Sequence, residues 1–355
     1  MLVNKISINK DATIKFCMKM LTSVGTKCLL VVDSKNKLLG TLTDGDVRRA
    51  ILKNAKLDSK ITNIFNKKPI YIRINDFTKK LAQKKMKENL IDLIPVIDSH
   101  GTVKEFITSE NISKDFIKSK NSVPKNFPVI IMAGGKGTRM SPFTNILPKP
   151  LLPINDKTMV ENILDNFYES GFKNFIFTLN YKAKVLRAYI QEIKKNYSVK
   201  FTEEKKPLGT AGALKLIKNL IKSDMIVTNC DTSIQIDFSE LIKFHVTKKN
   251  LITLVASSKE YRLPYGVCSL DKKGNLLSIQ EKPSYDYLVN SGTYVINKKA
   301  LKYIPNDKYF DMTDLINVIM KKNLKISLFP IHEDSWYDTG DWEQYRNVFS
   351  KMSIK

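Results

Sequence analysis

The chain has 355 residues and a formal net charge of +24, with 59 basic against 35 acidic side chains. Only seven of the basic residues are Arg, and the Lys residues are scattered rather than grouped with aromatics, so the charge does not mark a nucleic-acid binder. Four Cys without CxxC spacing and three His exclude a Cys/His zinc site, and no apolar run reaches the ~18 residues of a membrane span. The expectation is a cytoplasmic protein with reduced thiols, no signal peptide, and no nucleic-acid or membrane partner. Its length suits two or three domains.

In chain order, apolar spacing predicts a helix over 12–22, strands over 28–33 and 38–42, and a helix from Asp44. The same order returns as helix 78–89, strands 93–98 and 103–107 about a His100-Gly101 turn, and a further element from Ser109. In the first unit Gly40-Thr-Leu-Thr-Asp-Gly-Asp46 is similar to the G-x-x-T-x-x-D element of CBS (cystathionine-β-synthase-type) motifs. Residues 1–118 thus resemble a tandem CBS pair. That resemblance implies that Thr43 and Asp46 face an adenine nucleotide, and that the pair serves dimerisation, so a homo-oligomer is expected. By themselves the acids there equally suit a helix cap. The second unit keeps Thr108 but has Glu105 and Asn111 where the motif has Gly and Asp. The polar segment 119–127, with Pro124, reads as a linker.

From residue 128 strands and helices alternate: strand 128–132, helix 158–170, strand 174–179, helix 183–195, strand 198–202, helix 211–221, strand 224–229. This order predicts an α/β, doubly wound, mostly parallel, Rossmann-like sheet over 128–355, with ligands beyond the carboxyl ends of its strands. Closely spaced strands at 251–257, 266–270, 276–281 and 291–297 are expected to make a mixed sheet edge. After the first strand, Gly134, Gly135 and Gly137 let backbone N–H groups approach a phosphate. Arg139 adds a fork of donors, and Lys149 is held stiffly between Pro148 and Pro150. Lys136 is followed by Gly137, which rules out a P-loop, and Met140 or Ser141 stands where a dinucleotide fingerprint needs its last glycine. These residues describe a site for a highly charged phosphate compound.

The whole string Ala133 to Ile154 resembles the signature of the sugar-phosphate nucleotidyltransferases, or NDP-sugar pyrophosphorylases. Further segments follow in that family's order: Pro207-Leu-Gly-Thr-Ala-Gly-Ala213, a strand ending at Asp231, Pro264-Tyr-Gly266, Glu281-Lys282-Pro283, Asn290-Ser-Gly292, and Trp336-Tyr-Asp-Thr-Gly340. The resemblance implies Mg²⁺-dependent transfer of a nucleoside monophosphate from an NTP to a sugar 1-phosphate. It gives Arg139, Lys149 and Asp231 the catalytic work, Arg139 and Lys136 meeting the leaving pyrophosphate. Asp231 and Asp338 would hold Mg²⁺. The nucleotide would meet Ala133, Gly134, Gly135, Lys136, Gly137 and Thr138. It would also meet Gly209, Thr210 and Gly212, which open a helix whose N-terminus favours an anion. The sugar phosphate would meet Gly266, Glu281, Lys282, Asn290 and Gly292. Cys230 departs from the Gly usual before the metal Asp.

A CBS pair ahead of this domain looks like guanylyltransferases of glycan pathways, including those acting on glucosamine 1-phosphate for legionaminic acid, so GTP is the favoured donor. No residue reads guanine over uracil or thymine. Mannose-1-phosphate guanylyltransferase and glucose-1-phosphate uridylyl- or thymidylyltransferase remain alternatives. A non-catalytic sugar-nucleotide-binding subunit would have lost Arg139, Lys149 or Asp231, and this chain has all three.

Overall fold

The computed structural model describes residues 3–89, 91–108, 127–193 and 196–352. Two compact units divide the chain: Met1–Lys120 with Ser257–Val289 and Pro330–Asp334, and Asn121–Ala256 with Asn290–Phe329 and Ser335–Lys355. The segment 257–289, placed by the sequence in the C-terminal domain, therefore clusters with the N-terminal one.

The first unit repeats one topology. Strand β1 (Ser7–Asn9) pairs parallel with β2 (Cys28–Val32), which pairs antiparallel with β3 (Leu38–Thr43). Likewise β4 (Ile72–Arg73) runs parallel to β5 (Leu93–Ile97), itself antiparallel to β6 (Val103–Thr108). Helix α1 (Ile14–Val24) is capped by the Thr13 hydroxyl, ends at Gly25 in the left-handed region, and buries Ile14, Cys17, Met18 and Leu21. Helices α2 (Asp44–Leu52) and α3 (Lys79–Asn89) complete the repeats. Both hairpins turn on an Asp: Asp33 Oδ1 accepts the N–H of Lys35 and Lys37, and Asp98 Oδ1 those of His100 and Thr102. The turns then pair with each other, Leu38 N–H donating to Gly101 and Val103 N–H to Asn36, both at 3.0 Å. Gly40 is required by packing, since a Cβ there would lie 2.3 Å from the Asn66 carbonyl. The element expected from Ser109, Asn111, and linker residues 119–126 lie outside the described residues.

In the second unit β7 (Val129–Ala133) is buried throughout. The chain continues through β8 (Pro153–Ile154), β9 (Lys157–Thr158), α4 (Met159–Glu169), β10 (Asn174–Leu179), α5 (Ala183–Glu192), β11 (Ser198–Glu203), β12 (Met225–Asn229), β13 (Thr232–Ile234) and α6 (Phe238–Lys248). Then come β14 (Ile252–Arg262), β15 (Val267–Leu270), β16 (Leu276–Gln280), β17 (Ser284–Ile296), α7 (Met312–Lys321), β18 (Ile326–Ile331), β19 (Trp336–Asp338) and α8 (Trp342–Met352). The main sheet has the order β11-β10-β7-β12-β17-β14-β18, its first four strands parallel and β17 antiparallel to β12. The chain steps outward from β7 to β10 and β11, then returns to the other side of β7 for β12. That reversal opens a crevice beyond the carboxyl ends of β7 and β12.

Two expectations need correction. The helix expected over 211–221 is one short turn, Gly209–Gly212, followed by a 3₁₀ turn at Ala213–Lys215. Its buried stripe of Ala211, Leu214, Ile217 and Ile221 misled by its helical spacing. The strands at 266–270 and 276–281 do not join the main sheet; β15 and β16 form a separate antiparallel pair. Among the described residues no helix is long and apolar enough to cross a membrane.

Candidate active site

The crevice between β7 and β12 opens into a cavity of about 370 Å³. Gly134, Gly135, Gly137, Thr138 and Arg139 line it from the loop after β7, Asn229, Cys230 and Asp231 from the end of β12, Lys149 from the segment before β8, and Gly340 from the turn after β19. Gly137 has φ +66°, and a Cβ there would lie 3.0 Å from side-chain atoms of Lys149 and Thr144, so the loop can pass over them only as glycine. Lys149 is 6% exposed, and its ammonium donates to Asp231 Oδ2 at 2.6 Å and to the Gly340 carbonyl at 3.1 Å. The Asp231 carbonyl in turn accepts from the Thr339 N–H and hydroxyl, at 3.0 and 2.8 Å. Strands β13 and β19 bring this about, Thr232 lying opposite Asp338 in their register.

Asp338 accepts the Gly340 N–H at 2.8 Å, and a Cβ on Gly340 would lie 3.0 Å from the same oxygen. Burial and then the charge of Asp231 push the Asp338 carboxyl above its ordinary value. Two hard oxygen donors whose charges oppose each other suit a divalent cation such as Mg²⁺, which takes one or two carboxylates and fills its remaining positions with substrate oxygens. Among the described residues no cluster of three or more His, Cys, Asp or Glu makes a richer metal site. Burial and then Asp231 push the Cys230 thiol up to about 12, which favours the thiol over the thiolate at neutral pH.

Glu204 is a wall residue that the sequence did not single out over its neighbour. It is 8% exposed and accepts the Leu208 N–H at 2.8 Å, and burial raises its carboxyl. Gly134 is open to it: a Cβ there would lie 2.5 Å from Glu204 Oε1. Glu203, the other half of the pair, points to solvent and meets Arg187 at 3.3 Å. Tyr309 and Asp311 also line the cavity, with no local signal in the sequence.

Several expected residues stand differently. The N–H groups of the Gly209 turn do not await an anion: Ala211 and Gly212 donate to the Phe310 carbonyl at 3.0 and 2.8 Å, and Thr210 to Asp311 Oδ1 at 3.0 Å. Gly209 and Thr210 still line the cavity. Gly212 is buried beneath it, its missing Cβ making room for the Lys308 carbonyl at 3.1 Å. Ala133 is buried at the end of β7, and Lys136 is exposed outside the lining. Gly292, at φ +77°, packs on Asn229, whose Nδ2 a Cβ would meet at 2.6 Å, and its N–H donates to Asn290 Oδ1. Gly266, Glu281 and Lys282 belong to the first unit, where a Cβ on Gly266 would lie 3.0 Å from Glu281 Oε2. Thr43 and Asp46 form a capping box on α2: Asp46 Oδ2 accepts from the Thr43 N–H at 2.9 Å and hydroxyl at 2.6 Å, while Arg49 takes Oδ1. In this structure the pair caps α2.

A doubly wound sheet with a cationic glycine loop facing a strand-end acid defines a phosphate-handling α/β enzyme class. The chain belongs to the nucleotidyl transferase family, whose model matches residues 128–354, and carries an N-terminal CBS domain, matched over 1–53. It is 32% identical over 217 residues to the D-glycero-alpha-D-manno-heptose 1-phosphate guanylyltransferase of Campylobacter jejuni, covering 61% of this chain and 96% of that protein. It is 28% identical to the UTP–glucose-1-phosphate uridylyltransferase of Synechocystis, covering 62% of this chain and 63% of that relative. Among solved structures, HddC from Yersinia pseudotuberculosis complexed with GMP-PN superposes with a TM-score of 0.51 at 27% identity, covering 64% of this chain and 99% of that one.

Proposed function

We propose that this protein transfers a guanylyl group from GTP to a sugar 1-phosphate. A phosphate oxygen of the sugar attacks the α-phosphorus, the bond from that phosphorus to the β-phosphate oxygen breaks, and pyrophosphate leaves. The observation that carries this reading is the convergence of Arg139, Lys149 and Asp231 on one cavity at the switch point of the sheet. Two anions must meet, so catalysis here is positioning and charge neutralisation. In this reading the loop N–H groups and Arg139 hold the departing phosphates, and Lys149 holds phosphate beside the reacting centre. Asp231 and Asp338 would hold Mg²⁺, which would neutralise charge on the triphosphate when bound. Glu204, reached past Gly134, supplies an acceptor for the base or ribose. Asn290 and Gly292 serve the sugar phosphate.

Guanine is supported by the guanylyltransferase name of the Campylobacter relative and by the GMP-PN complex of HddC; the uridylyltransferase relative keeps uracil as the second reading. For the sugar, heptose, mannose, glucose and glucosamine 1-phosphates are the candidates. The test is pyrophosphate release from each of GTP, UTP, dTTP, CTP and ATP with each of these sugars. GTP should give the highest kcat/KM, and a higher value with another triphosphate rejects guanine. Asp231→Asn should lower turnover by about 10²-fold or more, the scale of losing one charge-stabilising group. Full activity in that variant would remove Asp231 from the site.

A further inference from the structure

The loop after β7 carries three glycines, which offer no side chains to hold it in place. Its carbonyls are tied instead. The Tyr181 N–H, from the turn between β10 and α5, donates to the Gly134 carbonyl at 3.4 Å. The Thr144 hydroxyl donates to the Gly137 carbonyl at 2.9 Å, which also accepts the Met140 N–H at 2.9 Å. The Thr144 carbonyl in turn accepts the Tyr181 hydroxyl at 3.1 Å. Tyr181 therefore reaches both ends of the loop, the start through its backbone and the end through Thr144. Beside it the Lys182 ammonium donates to the Asn145 carbonyl at 2.7 Å and to the Ile146 carbonyl. Those bonds satisfy carbonyls at the end of the short helix Phe143–Ile146, which holds Thr144.

In a trans peptide the N–H points opposite to the carbonyl before it, and the peptides after Gly134 and Gly137 are trans. Holding those two carbonyls turns the Gly135 and Thr138 N–H groups away from the residues that tie them. Gly135 and Thr138 both line the cavity, and among the described residues neither N–H has an acceptor in the protein. A glycine loop ordered before binding loses less conformational freedom when a phosphate arrives.

We propose that Tyr181 is a positioning residue for the triphosphate: it straps the glycine loop at both ends, and its hydroxyl, acting through Thr144, holds the Thr138 N–H ready for a phosphate oxygen. This rests on the assignment of that loop to the triphosphate given above.

The experiment measures kcat and both KM values on the full chain. Tyr181→Phe removes only the hydroxyl and should raise the KM for the triphosphate about five-fold, the scale of one hydrogen bond. The sugar KM and kcat should stay within about two-fold, because the loop holds the phosphates alike before and during transfer. A partly unfolded preparation would instead lower kcat and leave both KM values in place. Thr144→Val keeps the methyl and loses the hydroxyl, and should raise the triphosphate KM as Tyr181→Phe does. Thr144→Ser keeps the hydroxyl and should stay near the starting value. Because the two ties act in series, Y181F/T144V should be no worse than Thr144→Val alone, within about two-fold. Arg139→Gln is measured alongside. If it raises the triphosphate KM and Tyr181→Phe does not, the strap is overturned and the loop assignment stands. An equal rise in both KM values, an effect of Thr144→Ser as large as that of Thr144→Val, or a double variant at the product of the single effects also overturns it. If Arg139→Gln changes neither the triphosphate KM nor kcat, the loop assignment fails and the proposal falls with it.

Discussion

Lys149 sits almost out of water, yet its ammonium is hydrogen-bonded to Asp231 and to the Gly340 carbonyl. Replacing it by Met leaves the Asp231 carboxylate facing the cavity without its partner, so kcat/KM for Lys149→Met should fall by about 10²-fold or more in the pyrophosphate assay. Gly134 makes the opposite point, since its lack of a Cβ is what admits Glu204. Gly134→Ala puts a methyl 2.5 Å from Glu204 Oε1, so that carboxylate must turn, which strains the bond its other oxygen accepts from the Leu208 N–H. Loss of one charge-assisted hydrogen bond scales to about a ten-fold rise in the KM for the triphosphate, with the sugar KM unmoved. The glycines, Arg139, Lys149 and Asp231 could be read directly from the sequence because loop chemistry and strand ends are local properties. Glu204 could not, because Glu203 beside it has the same side chain, and only burial at the end of β11 separates their roles. Tyr309 and Asp311 lay further out of sight, about a hundred residues from the Thr210 that Asp311 holds.

The helices begin where capping chemistry dictates, and that rule was legible in part. Thr158 and Glu161 form a capping box on α4, as Thr43 and Asp46 do on α2. Thr43→Ala should therefore cost about 1 kcal/mol, seen as a lower midpoint in denaturant unfolding, with Thr158→Ala as the matched control. The Asp hairpin is built a third time at 271–275, where Asp271 Oδ1 accepts the N–H of Lys273 and Asn275. In all three turns the backbone N–H groups, with an Asn275 side-chain hydrogen bond first at Asp271, hold the Asp below its ordinary 3.8. Each contribution is full above 3.8 and is lost as pH falls through the lowered folded value, so the hairpins should loosen only below about pH 4. The turn at Gly209 shows the limit of local reading. Its glycines suggested a helix N-terminus free for an anion, whereas Phe310 and Asp311 accept those N–H groups. A pairing between residues a hundred positions apart leaves no periodic trace.

Charge and pH act on the molecule as a whole. With a formal net charge of +24, long-range attraction should speed capture of the triphosphate, so kcat/KM should fall steadily between about 50 and 300 mM salt. A flat salt profile would show that capture does not depend on that field. In the first unit, burial holds the His332 imidazole below its ordinary 6.5, against the opposing charges of Asp334 and Glu333. Its contribution to stability is full above pH 6.5 and is lost as pH falls through the lowered folded value, because the unfolded chain takes up the proton first. Thermal midpoints should drop from pH 6.5 downward, and His332→Gln should flatten that drop. The sequence by itself determined the alternation of strands and helices in the phosphate-binding half, the glycine loop and the strand-end acid, since each depends on neighbours within a few residues. Only the tertiary structure decided that Lys149 would be locked to Asp231, that Glu204 would stand behind Gly134, and that 257–289 would join the N-terminal unit. Those outcomes turn on which distant groups are excluded from water together, and burial is a property of the packed chain rather than of any segment in it.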